Sequence, residues 1–176
     1  VFNQKLGYYG ANPFLADLER HLSDEGKYEE FKQAFAKIRG KEWIDTRHMF
    51  RFIQDSVCEA LVDIGYMSMD AAKNWCDTST GVYNIDVTTF ASMVNSYIEK
   101  KGTNHHVIFL VDEIGQYIGD DSKLMLNLQT VTEDLSTHCH GKAWVVVTSQ
   151  QDIDSITKTK GNDFSKIQGR FDTRLS

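Results

Sequence analysis

The chain has 176 residues, of which 41% are hydrophobic, 25% charged and 11% aromatic, a composition that excludes a disordered or collagen-like protein and fits a globular one. The formal net charge of -6 excludes a protein-wide electrostatic footprint for nucleic acid and leaves only a local patch open for DNA. No apolar run is longer than that of Val107 to Val111, far shorter than the roughly 20 residues of a bilayer-spanning helix, and no signal-peptide pattern opens the chain, so no membrane partner is expected.

Pro13 is the only proline and sits where a helix can start. Phe14, Leu15, Leu18 and Leu22 share one helical face, as do Tyr28, Phe31, Phe35 and Ile38, because residues three and four apart align on a helix. The spacing of Phe50, Ile53, Val57, Leu61 and Ile64 predicts one long helix ending at Gly65. Ser68 is placed to cap a short helix carrying Trp75, residues 81–86 read as a loop, and Phe90, Met93, Val94, Tyr97 and Ile98 mark another amphipathic helix.

The pattern changes after Gly102. His106 to Val111 is a β-branched and apolar run without helical spacing, which predicts a strand covered on both faces. Leu124, Leu128, Val131 and Leu135 predict a helix, and Ala143 to Val147 a second buried strand. Strand, helix, strand in this order predicts a right-handed βαβ unit with parallel strands, and a third strand is expected near Phe171. The chain thus divides into a helical segment, residues 1–101, and an α/β segment, residues 102–176. It starts at Val1 rather than Met and ends at Ser176 as a strand pattern begins, so it reads as a piece of a longer protein.

Ligands of an open parallel sheet bind beyond the carboxyl ends of the strands, where Asp112 and Glu113 follow the first strand. On alternating strand positions the two carboxylates address different sides. One can hold magnesium while the other orients a water for attack on phosphorus; two acids can equally serve to solvate a strand end. The odd count of three cysteines, Cys58, Cys76 and Cys139, without CxxC spacing indicates neither a disulfide framework nor a zinc ribbon and favours a reducing, cytoplasmic compartment.

His106 to Ile114 resembles the Walker B strand of AAA+ P-loop ATPases, Val145 to Asp152 resembles the sensor strand that follows it, and Gly169-Arg170-Phe171-Asp172 resembles their arginine-finger region. With Asp112 to Asp121 and Thr148 to Ile156 as the most specific stretches, the chain is similar to the BrxC family of P-loop ATPases from bacterial BREX phage-defence systems. The resemblance implies an α/β fold: a partial AAA+-like core with a short parallel sheet and a large helical insertion, mostly helical overall. It implies that Asp112 supports Mg2+, that Glu113 activates the attacking water, and that Ser149 senses the γ-phosphate of ATP. Arg170, or alternatively Arg174, would be the finger reaching across a homo-oligomer interface. Other phage-defence subunits would be partners. One departure stands out: no Gly-x-x-x-x-Gly-Lys-Ser/Thr loop occurs in the 176 residues, and the resemblance places it upstream of Val1. The chain by itself is therefore expected neither to hold ATP tightly nor to hydrolyse it.

Other constellations carry weaker signals. His105, His106, His138, Cys139 and His140 precede the two strands and would share one sheet edge, a candidate zinc site against a solvated loop edge. A nucleophilic triad around Ser149 lacks a Gly-x-Ser-x-Gly elbow. Tyr28, Phe31, Phe35, Trp43, Phe50, Phe52 and Trp75 offer either a base-stacking surface or, by their spacing, core, while Tyr8 and Tyr9 have no periodic partner and are expected to pack on upstream sequence. Lys158, Lys160, Lys166, Arg170 and Arg174 form the basic concentration. Two other functions compete with hydrolysis: a nucleotide-sensing or assembly scaffold with little turnover, and a helical partner-binding domain in residues 1–101.

Overall fold

Helices dominate the described residues of this computed structural model, which are 1–79, 81, 83, 85–114, 117 and 122–148. They fall into two units, Val1–Asn84 and Ile85–Ser176. The first contains α1 (Phe2–Lys5), α2 (Pro13–Asp24), α3 (Tyr28–Arg39), α4 (Trp43–Thr46), a 3-10 turn (Arg47–Phe52), α5 (Gln54–Asp63) and α6 (Met69–Thr78). The second contains α7 (Val87–Lys101), β1 (Val107–Val111), α8 (Ser122–Cys139) and β2 (Ala143–Val147). No described helix is long and apolar enough to cross a membrane.

Local chemistry explains where the helices of the first unit begin. Pro13 occupies the first turn of α2, and the Asn12 side chain accepts the Phe14 and Leu15 amides, which satisfies donors the helix cannot. Ser68 caps α6 by accepting the Ala71 amide. Gly40, with φ of 71°, ends α3 in the left-handed backbone that glycine adopts without a Cβ clash. The core follows the three-and-four spacing: Leu15, Leu18 and Leu22 of α2 meet Phe31, Ala34 and Phe35 of α3 and Val57, Ala60 and Leu61 of α5. Trp43 stands edge-on to Phe31 and Phe35, each at 5.2 Å between centroids, a geometry that adds to simple area burial. Two expectations change. Ile38 is exposed and Ala34 takes the inward place on α3; Phe50 and Ile53 are buried but precede α5, because Met49 leaves helical backbone angles and the chain tightens into the 3-10 turn.

Charge also enters this core. Glu19 lies on the buried face of α2 between Leu18 and Leu22 and is wholly inaccessible. Its Oε1 accepts from Trp43 Nε1 at 2.7 Å, Arg47 Nη1 at 2.7 Å and the Tyr28 hydroxyl at 3.0 Å, and its Oε2 accepts the Tyr9 amide at 2.5 Å. Arg47 further donates to the Gly7 carbonyl at 3.3 Å and stacks over the Tyr9 ring. Four donors on one carboxylate satisfy its acceptor capacity, the condition under which a buried charge is tolerated. Tyr8 meets Tyr28 edge-on, so Tyr8 and Tyr9 both contact residues of this chain's own bundle.

Burial first, then the Glu19 carboxylate, pushes the Tyr28 phenol well above its ordinary value of 10.0. Burial likewise raises the Cys76 thiol from 9.0. Both groups stay protonated in the fold while the unfolded chain ionises, so the stability they contribute is complete at neutral pH and declines as pH climbs past these ordinary values. Urea midpoints measured upward from about pH 8 should hold level and then fall; midpoints that rise above pH 10 would contradict the assignment.

In the second unit, Asp86 accepts the Thr89 amide at 2.6 Å and starts α7, and that bond lowers the Asp86 carboxyl from its ordinary value. Ala91, Val94 and Ile98 of α7 and Leu135 and Cys139 of α8 are buried. The compositional seam at Gly102 therefore lies inside this unit, since α7 packs on α8. β1 and β2 pair in parallel, with Val107 opposite Ala143 and Val111 opposite Val147. Burial alternates along both strands: Phe109 packs against Phe90 of α7 at 5.7 Å, whereas Ile108, Leu110, Trp144 and Val146 are exposed, Leu110 to 78%. Within the described residues the sheet is thus covered on one face rather than two. Leu110→Thr should shift stability by no more than about 0.5 kcal/mol, as open surface positions do, while Ile98→Ala should cost about 2–5 kcal/mol; equal losses in urea titrations would refute this division of faces.

Candidate functional site

At the carboxyl edge of the sheet, Thr148 ties the two strands together just beyond their last paired residues. Its amide donates to the Val111 carbonyl at 3.0 Å and its carbonyl accepts the Ile114 amide at 3.0 Å. Its hydroxyl accepts the Glu113 amide at 2.9 Å and donates to Asp112 Oδ1. One residue of β2's end thereby fixes three successive positions after β1. The parallel register makes this possible, because Val111 opposite Val147 brings position 148 level with position 112.

The expectation that Asp112 and Glu113 alternate as strand residues is corrected here. β1 stops at Val111, and Glu113 adopts φ of 51°. A non-glycine residue in this left-handed region carries strain of about 1–3 kcal/mol, which persists only where surrounding bonds hold it; the two amide bonds to Thr148 are such bonds. The Asp112 side chain is exposed and Glu113 is half-buried, so the acids meet solvent at the edge where a parallel sheet takes its ligands.

Of the other residues expected at this site, Ser149 and Arg170 lie outside the described residues, as do the basic concentration, residues 158–174, and the strand expected near Phe171. In the sequence Thr148 marks only the end of a strand. Its signal was a hydroxyl in the first position past β2, matched to an acid in the first position past β1, and it becomes visible only once the register is known. Glu19 was also missed, though an acid at the fourth step of the Leu15, Leu18, Leu22 series is a departure from amphipathic patterning.

The histidine and cysteine clusters share the amino-terminal edge, as parallel strands require, but do not converge. His138 Nδ1 pairs with the Asp134 carbonyl at 2.9 Å, His106 Nδ1 with the Asn104 carbonyl at 3.3 Å, and His105 stacks edge-on to Tyr97. Cys139 is buried with its thiol directed at the Ala91 carbonyl. Among the described residues no group of three or more His, Cys, Asp or Glu side chains is arranged to hold a metal. Of the seven aromatic residues that offered a stacking surface, Phe31, Phe35, Trp43 and Phe50 are buried, Tyr28 and Trp75 are half-buried, and Phe52 is exposed. A groove of about 360 Å³ in the first unit, lined by Asn12, Phe14, Phe50, Arg51, Ser79 and Tyr83 among others, contains none of the acids singled out from the sequence.

Magnesium suits the Asp112 edge. A hard cation that retains waters and shares its coordination with substrate phosphates needs only one or two protein carboxylates, and Asp112 presents an exposed carboxylate oriented through Oδ1 by Thr148. No family model matches the chain, and no solved structure matches it.

Proposed function

We propose that the second unit carries the hydrolytic edge of an AAA+-like P-loop ATPase of a BREX-type phage-defence complex, the phosphate-binding loop being supplied by sequence upstream of Val1. The observation that carries this reading is the Asp112-Glu113 pair at the carboxyl edge of β1, clasped by Thr148 from the parallel neighbour. Asp112 is the residue for Mg2+, which when bound would neutralise charge on the nucleotide phosphates. Glu113 accepts the proton of the attacking water, and the Thr148 clasp holds its backbone so that the carboxylate need not be positioned anew at each turnover. Ser149 and Arg170 retain the roles of γ-phosphate sensor and finger, the latter acting between subunits of a homo-oligomer.

The test is steady-state ATP hydrolysis by the chain extended upstream to include a phosphate loop, beside the 176-residue chain alone. Turnover by the extended chain only is the expected result. Turnover by the 176 residues alone would refute the placement of the loop. ATP binding without turnover would favour a nucleotide-sensing scaffold, and absence of binding in both chains would overturn the P-loop reading.

A further inference from the structure

Two of the three cysteines face each other inside the first unit. Cys58 on α5 and Cys76 on α6 are 18 positions apart in sequence, and their sulfurs approach to 3.4 Å; both are free thiols and both are buried. α6 is tied to α5 at this point, because the Cys76 carbonyl accepts from Gln54 Nε2 at 3.3 Å. A disulfide needs sulfurs about 2.05 Å apart on backbones already close together, and two thiols in contact across packed helices approach that arrangement by side-chain rotation. Cys139 belongs to the other unit, where its neighbour is the Ala91 carbonyl.

We propose that Cys58 and Cys76 form a redox-active dithiol, a modification site at which an oxidant of the hydroperoxide class closes an intrachain disulfide between α5 and α6. In the first step one thiol, as thiolate, attacks a peroxide oxygen; the O–O bond breaks, a sulfenic acid forms and the departing hydroxide takes up the released proton as water. The partner sulfur then attacks the sulfenic sulfur, the S–O bond breaks, a second water leaves and the S–S bond forms. Two thiols lose two electrons and two protons, and one hydrogen peroxide becomes two waters. Because the thiolate is the nucleophile and burial disfavours that of Cys76, attack begun at Cys76 is slow at neutral pH and accelerates as pH rises. Access comes through local opening of the helix pair rather than through a surface channel. Once closed, the bond shortens the freedom of the unfolded chain between the two helices and stabilises the unit.

The experiment is peptide mapping of the full chain without reduction after exposure to hydrogen peroxide in native buffer. Expected are a linked peptide pair joining Cys58 to Cys76, lighter by two hydrogen atoms, a Cys139 thiol that still titrates, full reversal by a thiol reductant, and a thermal midpoint raised by about 4 °C or more. Cys76→Ala should abolish the linked pair; should that chain fail to fold, the wild-type map still reads the linkage directly. Linkage to Cys139, linkage between chains, oxygen addition without linkage, or linkage appearing only in unfolding concentrations of urea would each overturn the proposal.

Discussion

Glu19→Leu is expected to lower the stability of the first unit by about 3–5 kcal/mol, the usual loss when one partner of a buried ion pair is removed. Leucine matches the apolar face of α2, so the transfer of the side chain itself is favourable; the loss comes from what remains. Arg47, Trp43, Tyr28 and the Tyr9 amide all donate to this one carboxylate, and the indole of Trp43, which is wholly buried, would be left without its acceptor. Glu19→Gln keeps a carbonyl oxygen but removes the charge, and should cost about 1.5–3 kcal/mol, the range of hydrogen bonds to ionised groups. Against a total stability of about 5–15 kcal/mol for an ordinary domain, the leucine variant approaches unfolding. Urea titration followed by tryptophan fluorescence measures both variants. A loss below about 1 kcal/mol for Glu19→Leu would mean that water already serves these donors.

Glu113→Gln, in a chain that includes the phosphate loop, should reduce ATP turnover by about 10²–10⁴-fold while leaving ATP binding intact, since a general base contributes that much and an amide cannot accept the proton. Thr148→Val tests the clasp. It removes the acceptor for the Glu113 amide and the donor to Asp112 together, and should slow turnover by about 10–100-fold, as loss of an orienting partner does, with Thr148→Ser restoring most of the rate. Single-turnover assays beside equilibrium nucleotide binding separate the two variants. Full turnover by Glu113→Gln would remove the hydrolytic role from that residue, and a Thr148→Ser chain as slow as Thr148→Val would show that packing of the methyl group, rather than the hydroxyl bonds, sets the edge.

The helices were legible because apolar residues at three-and-four spacing carry the same message locally and globally: Leu15, Leu18 and Leu22, or Val94 and Ile98, are buried where the pattern places them. The parallel pairing of β1 and β2 followed from their order and the helix between them. Less legible was how many layers cover a strand. The runs Val107 to Val111 and Ala143 to Val147 look the same whether one face or both are buried, and the exposure of Leu110 and Trp144 depends on which elements pack there. The Asp112-Glu113 pair announced its chemistry by residue type alone. Its backbone did not, because the left-handed turn at Glu113 is fixed by Thr148, a residue 35 positions away. Glu19 escaped for a related reason: its donors come from four separate segments, and only the tertiary fold brings them to one point.

That convergence gives the loop ahead of α2 an unusual reporter. The Tyr9 amide belongs to no helix, yet its proton is held by a carboxylate with no solvent exposure. Exchange of that proton for deuterium requires the loop to leave α2, so this single loop amide should exchange more slowly than its loop neighbours and register the opening of the loop from the bundle.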